Sequence, residues 1–448
     1  MMISTNNLDS IFNEGLKGLQ SYGRGDFGER LLKEKQNSWG RLQESGLPTT
    51  KKESWKYTDL STLSKKEFAP APAIEMDVLE SDPKILRGFS LDAYRLVFAN
   101  GVYIPGLSHL PVVTGVSVTA FSEVIMGMNS DQIENFKKVE DTYYIKHGEA
   151  SMDDLNSSLT EDGYWIRVAK NQKLDKPLHV LHLCAGESSK AWTQSPKSVV
   201  VLETGSELEL VESCIGSGDH GQGYFQNVFT TIELGANARL KYSKLVDEFE
   251  SGHHFGSVKC NMQRDSFFEA TSVSLGGELI RNDIQVDILG EGAEAHVNGL
   301  YLTKGSQHVD NHTEIRHAKP NGLSRQLYKG ILDDQSRAVF NGKITIDQEA
   351  QRTDSSQLNQ NLLLSSKAEI DSKPELEVSA DDVKANHGSA SGPLDKSEVF
   401  YFNSRAISED EATKMIARGF AMDVLYKQTA EDSRKYLIQF VDQIDWNV

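Results

Sequence analysis

The chain has 448 residues, room for one large domain with appendages or roughly two to three ordinary ones, with 38% hydrophobic, 8% aromatic and 25% charged residues. A formal net charge of -18 argues against a polyanion such as nucleic acid as a partner. The three cysteines, Cys184, Cys214 and Cys260, are odd in number and far apart without a C-x-x-C pair, so neither a disulfide framework nor a zinc site is indicated.

That cysteine usage fits a reducing compartment. The opening residues MMISTNNLDS lack the charged, apolar and small-residue order of a signal peptide. No apolar run approaches the roughly 20 residues needed to cross a bilayer. A cytoplasmic protein without membrane contact is expected.

Residues 1–160 form a helical and mixed region. Leu8, Ile11, Phe12, Leu16 and Leu19 recur at three- and four-residue steps and give one apolar helical face. Phe27, Leu31, Leu32, Trp39 and Leu42 continue it until Gly46-Leu47-Pro48 ends the helix. A Pro/Ala linker follows at residues 67–73. Leu96-Val97-Phe98 and Val102-Tyr103-Ile104 across Asn100-Gly101 read as a hairpin.

Residues 161–395 carry short alternating strands, each opening after a turn. Turns at Gly205, Gly235, Asp265, Gly292, Gln335 and Ser366 start strands about 30 residues apart, with one longer gap between Gly292 and Gln335. Further strands lie between them, such as 227–232 and 285–289. A quasi-repeat of strand and turn with no helical interval suits a parallel β-solenoid of two or three strands per coil. An antiparallel sandwich shares short strands and frequent turns and stays open on pattern alone. Residues 396–448 return to helix. Ser408 and Glu411 make a capping box, Ala412, Met415, Ile416 and Phe420 an apolar stripe, and Tyr436, Leu437, Phe440, Val441 and Ile444 a second helix.

Several strings invite chemistry. Gly216-Ser217-Gly218-Asp219-His220-Gly221 matches a dinucleotide fingerprint but precedes a strand instead of a helix, so it reads as a connection between strands. No Walker-type G-x-x-x-x-G-K-[ST] string occurs, so the chain is not expected to hydrolyse ATP. His308 and His312 share a strand face while His317 takes the other, which fits a polar solenoid face better than a metal site. His253-His254 reads as a surface loop. His387, beside Gly388 at the end of the repeat, is either a turn histidine or a ligand to metal.

The same stretch carries a resemblance. Lys373-Pro374-Glu375-Leu376-Glu377, Ala380-Asp381-Asp382-Val383-Lys384 and His387-Gly388 look like the end of the SufB/SufD core in the SUF iron–sulfur cluster assembly system. Phe340-Asn341-Gly342 and Asn361-Leu362-Leu363-Leu364-Ser365 fit upstream, and Ser404-Arg405, Glu411-Ala412, Gly419-Phe420 and Asp423-Val424 fit downstream. Gly46-Leu47-Pro48 and Glu53-Ser54-Trp55-Lys56-Tyr57-Thr58 resemble the family's N-terminal motif, so the match spans essentially the whole chain. The resemblance implies a mainly β protein, a right-handed parallel β-helix flanked by helical regions, acting as a scaffold subunit without enzymatic activity. It favours the SufD-like branch, since Gln357-Leu358-Asn359-Gln360 offers no thiolate where SufB-like chains carry a cysteine.

Further expectations follow from the resemblance. A SufB-type subunit pairs through the β-helix, and a SufC-type ATPase docks on the C-terminal helices at Arg405, Glu411, Met415, Ile416, Phe420 and Asp423. An iron–sulfur cluster forms transiently and is shared with the partner, with His387 as the iron-binding candidate and nothing tightly bound in the isolated chain. A homodimer is possible when the chain is isolated. Two departures stand out: Ala385 replaces a common cysteine, and Ala406 replaces the glycine of a Ser-Arg-Gly turn, where its methyl is expected to strain a left-handed bend and shift it slightly. The competing readings are a SufB-like primary scaffold and a β-helical carbohydrate-active enzyme.

Overall fold

The computed structural model describes residues 8–22, 26–72, 74, 76–123, 152–186, 188–218 and 221–444. Asp219 and His220 of the glycine-rich string, and the side chains of Leu19 and Phe27, lie outside them.

Two long parallel sheets face each other, and the chain alternates between them. After Glu207–Gly216 in one sheet comes Tyr224–Leu234 in the other, then Arg239–Asp247 back on the first, stacked in parallel with Leu240 against Leu208. The same step recurs through Phe267–Ser274, Glu294–Thr303, Leu323–Leu332, Asp354–Leu363 and Lys384–Pro393 in that sheet. The facing sheet repeats it through Gly252–Met262, Leu279–Ile288, His308–His317, Arg337–Ile346 and Glu369–Val378. This is the expected solenoid with two strands per coil, and the sandwich is excluded because the ladders are parallel.

The one irregular step in the repeat has a simple cause. Turns up to Gly292 open strands of one sheet, whereas those at Gln335 and Ser366 open strands of the other. The true continuation is the turn before Leu323, where Asn321 takes a left-handed conformation (φ 60°).

Alternation along each strand sends one set of side chains inward. Leu210, Val200, Ile232, Leu240, Phe268, Val286, Val297, Ile315 and Phe340 form the core between the sheets. Burying each stabilises the fold by about 1.5–3 kcal/mol. The outward sets are covered by helices. Leu8, Trp39, Leu42 and Trp55 pack on Phe225, Phe255 and Leu279, while Ala417, Ala421, Val424, Leu437 and Phe440 pack against Val211, Leu245, Leu300 and Ile331. The molecule is therefore layered as helix, sheet, core, sheet, helix.

The N-terminal motif is a strap across one sheet. The Arg281 guanidinium stacks on Trp55 at 3.8 Å and donates to the Ser54 carbonyl at 2.8 Å. Thr58 Oγ1 donates to Asp310 at 2.5 Å, and Arg281 pairs with the same carboxylate at 2.8 Å. The Arg281 and His312 partners hold the Asp310 carboxyl well below its usual range despite burial. His308 and His312 thus share the outer face with Asp310, and His317 points inward, its Nε2 2.9 Å from Ser324 Oγ. The histidine trio serves the strap and the core.

Two local expectations change. His253 and His254 are buried within the strand Gly252–Met262, not in a surface loop: His253, in register with Leu279, lies under the N-terminal layer, and His254, in register with Ile280, faces the interior between the sheets. Met415 faces outward, and the buried stripe of its helix, Glu409–Leu425, is Ala412, Ala417, Ala421, Val424 and Leu425. Ala406 stands in a left-handed bend, with φ 63°, the conformation its methyl is expected to strain. The Asn100-Gly101 hairpin forms as expected, both residues having positive φ.

Candidate functional site

The two ends of the solenoid differ. At the first end, Val116–Ala120 pairs antiparallel with Gly163–Val168, and the hairpin strand Val102–Tyr103 closes the other sheet. At the last end, Glu369–Val378 and Lys384–Pro393 each pair on one side only. Their residues are half-buried or exposed, with Ala380 the buried residue between them. Among the described residues, no further coil covers them.

His387 stands on this open edge. In register it follows Gln357, which follows Gln326, and both glutamines are buried inward-facing residues. Partners in a parallel ladder share a face, so His387 ends an inward column. The column runs Leu210, Tyr242, Ala270, Val297, Gln326, Gln357 and His387, apolar deep in the molecule and polar near the opening. The neighbouring inward column ends in Asn359 and Ser389, and Ser372 donates to Asn359 at 2.7 Å from the facing wall. The glutamines are bonded to each other, Gln357 Nε2 donating to Gln326 Oε1 at 3.1 Å. Gly342 leaves room there, since a Cβ would lie 2.0 Å from Gln357 Nε2 and make that side chain move.

The backbone at the edge is aimed as well. Lys384 N–H bonds Thr353 O and Glu369 N–H bonds Ser336 O, so alternation turns the amides of 385, 387, 389 and 391 on one strand, and 370, 372, 376 and 378 on the other, to the open side. Pro374 and Pro393 both fall at open-side positions, where a missing N–H costs no ladder bond. Lys373 on the outer face pairs with Glu53 of the N-terminal strap at 2.7 Å, joining the two ends of the sequence at this edge.

Beside the opening lies the helical hairpin Lys396–Asn403 and Glu409–Leu425. Phe400, Tyr401 and Met415 are 72%, 54% and 52% exposed, respectively. Ile416 lines a cleft of about 400 Å³ with Tyr401 and Phe402. Arg405 stacks on Tyr401 at 3.6 Å, and Glu411 completes the capping box with Ser408. Phe420 and Asp423 are engaged internally: the Lys329 ammonium sits 4.2 Å over the Phe420 ring and 2.9 Å from Asp423, which lowers the Asp423 carboxyl. Of the six residues expected to dock a partner, these two also fix the helix to the strand Leu323–Leu332.

The polar inward columns escaped the sequence reading, although Ser355, Gln357, Asn359 and Asn361 alternate at period two and carried the signal. All three cysteines are free and buried far from the open edge. Among the described residues, no helix is long and apolar enough to cross a membrane.

A model described as "SUF system FeS cluster assembly, SufBD core domain" matches residues 184–420, and one described as "SufBD protein N-terminal region" matches 25–180. The iron–sulfur cluster assembly protein SufD of Escherichia coli is 31% identical over 404 residues, covering 90% of each chain. An iron–sulfur cluster assembly SufBD family protein of Synechocystis is 30% identical over 404 residues, covering 88% of this chain and 87% of its own. One from Pyrococcus horikoshii is 26% identical over 377 residues and 82% of each chain.

Proposed function

The chain belongs to the SufBD family of iron–sulfur cluster assembly proteins, and on that premise we propose that it is a SufD-type scaffold subunit that works without catalysis of its own. It pairs with a SufB-type subunit through the open edge of the solenoid and with a SufC-type ATPase through the C-terminal helical hairpin. The observation that carries this reading is the unpaired last coil with His387 at the mouth of a polar inward column. An edge with aimed amides pairs with another chain instead of remaining bare.

Iron and the nascent cluster are cargo. A neutral imidazole at His387 ligates iron, but clusters favour thiolates, and no cysteine of this chain lies at the opening. The thiolate therefore comes from the partner, and the cluster forms between two chains. The absence of a cysteine in Gln357-Leu358-Asn359-Gln360 weighs against the SufB-like reading. Exposed Phe400, Tyr401 and Met415 give the ATPase an apolar contact, and its movements reshape the shared edge. Without partners, the same edge pairs with a second copy. A reducing, cytoplasmic setting fits the free cysteines.

Co-expression with SufB- and SufC-type partners tests the proposal. The three chains co-purify, and His387→Ala leaves the complex intact while lowering cluster yield. Failure to retain the ATPase overturns the subunit assignment, and undiminished cluster yield removes His387 from the mechanism.

A further inference from the structure

Several coils from the opening, a second group of ligand-type side chains meets inside the solenoid. Cys214, Glu248 and His254 each bring one ligand atom within 4.8 Å of the other two, and all three are buried. Parallel stacking creates the meeting. Cys214 sits opposite Val246 of the next coil, Glu248 lies just past the end of that strand, and His254 arrives from the facing sheet in register with Gln226.

The surroundings leave the group incomplete. Glu248 Oε1 is 2.9 Å from His254 Nδ1, and Oε2 accepts from the Tyr224 hydroxyl at 2.5 Å. His254 Nε2 is fully buried without a hydrogen-bond partner. Buried polar atoms are ordinarily satisfied, so an orphan imidazole nitrogen beside a thiol and a carboxylate calls for a ligand. Lys244 approaches the same space: a Cβ on Gly256 would meet its Nζ at 2.1 Å and His254 Nε2 at 2.9 Å. The Lys244 ammonium also faces Glu212, whose carboxylate takes the hydroxyls of Tyr164 and Tyr242. The pocket thus sets two carboxylates against one ammonium.

We propose that Cys214, Glu248 and His254 bind one divalent transition-metal ion that accepts thiolate, zinc or ferrous iron, at a site separate from the open edge. Thiolate, imidazole and carboxylate are ligands such ions take together, and three protein ligands leave one position open. As the bond between Cys214 and the ion forms, the thiol proton is released to solvent, and His254 ligates through its unpartnered Nε2 while Nδ1 stays on Glu248.

The test uses the full chain produced in cobalt-supplemented medium, since a buried site fills during folding. After desalting, the wild-type chain carries one cobalt and a thiolate-to-cobalt charge-transfer band in the near ultraviolet. Cys214→Ser loses the band and His254→Gln loses the cobalt, while His387→Ala keeps both. A variant with Cys184→Ser and Cys260→Ser retains Cys214 as its sole cysteine and keeps the band, which protects the test if Cys214→Ser fails to fold. A wild-type chain without cobalt or without the band overturns the site, as does a band that survives Cys214→Ser or vanishes from the sole-cysteine variant.

Discussion

Ala406 holds a left-handed backbone conformation in the turn before the capped helix Glu409–Leu425. An L-residue with a Cβ pays about 1–2 kcal/mol for that geometry. Ala406→Gly therefore raises stability by about 1 kcal/mol, read as a higher Tm, and an unchanged or lower Tm contradicts the strain. His387 shows the limit of reading single residues. Its place beside a glycine near the end of the repeat was visible in the sequence, but its inward face was not. That face follows from register with Gln357 and Gln326, each about 30 residues earlier, and register belongs to coils. The same holds for Cys214, Glu248 and His254, whose spacing resembles no metal motif because stacking, not local sequence, brings them together.

At the level of elements, the helical hairpin separates docking from folding. Met415 is exposed, whereas Phe420 packs under Lys329. Met415→Glu is expected to weaken capture of a SufC-type ATPase in a pull-down without changing Tm. Phe420→Ser is expected to lower Tm as well, because it empties a packed site. Equal effects of both on Tm would make the whole helix a structural cap. The stripe read from three- and four-residue spacing found the helix but set its buried face one step off, since Ala417 and Ala421 carried less apolar signal than Met415. Coil corners are equally demanding: a Cβ on Gly290 would lie 2.0 Å from the Arg264 backbone nitrogen of the coil below. Gly290→Ala is expected to cost about 1–3 kcal/mol in denaturant unfolding.

For the molecule as a whole, inward and covered histidines tie the fold to pH. Burial lowers His179 and His253 to about 3 and His317 to about 4, from an ordinary 6.5. Below pH 6.5 the unfolded chain binds protons that the folded chain refuses, so stability is full above that pH and falls as pH drops toward 4. Each group contributes about 1.4 kcal/mol per pH unit in that window, and His317→Gln flattens the slope. Stability that stays level from pH 7 to 5 would contradict the burial. The solenoid itself was legible from turns about 30 residues apart, although the jump between sheets at Gln335 hid its regularity. What no pattern marked was the open end, because an unpaired edge is a property of where stacking stops. Hydrogen–deuterium exchange reads that edge strand by strand. Amides of 385–391 exchange quickly in the isolated chain and become protected when a SufB-type partner binds; protection confined to the helices or the sheet faces, with this strand unchanged, would contradict pairing through the open coil.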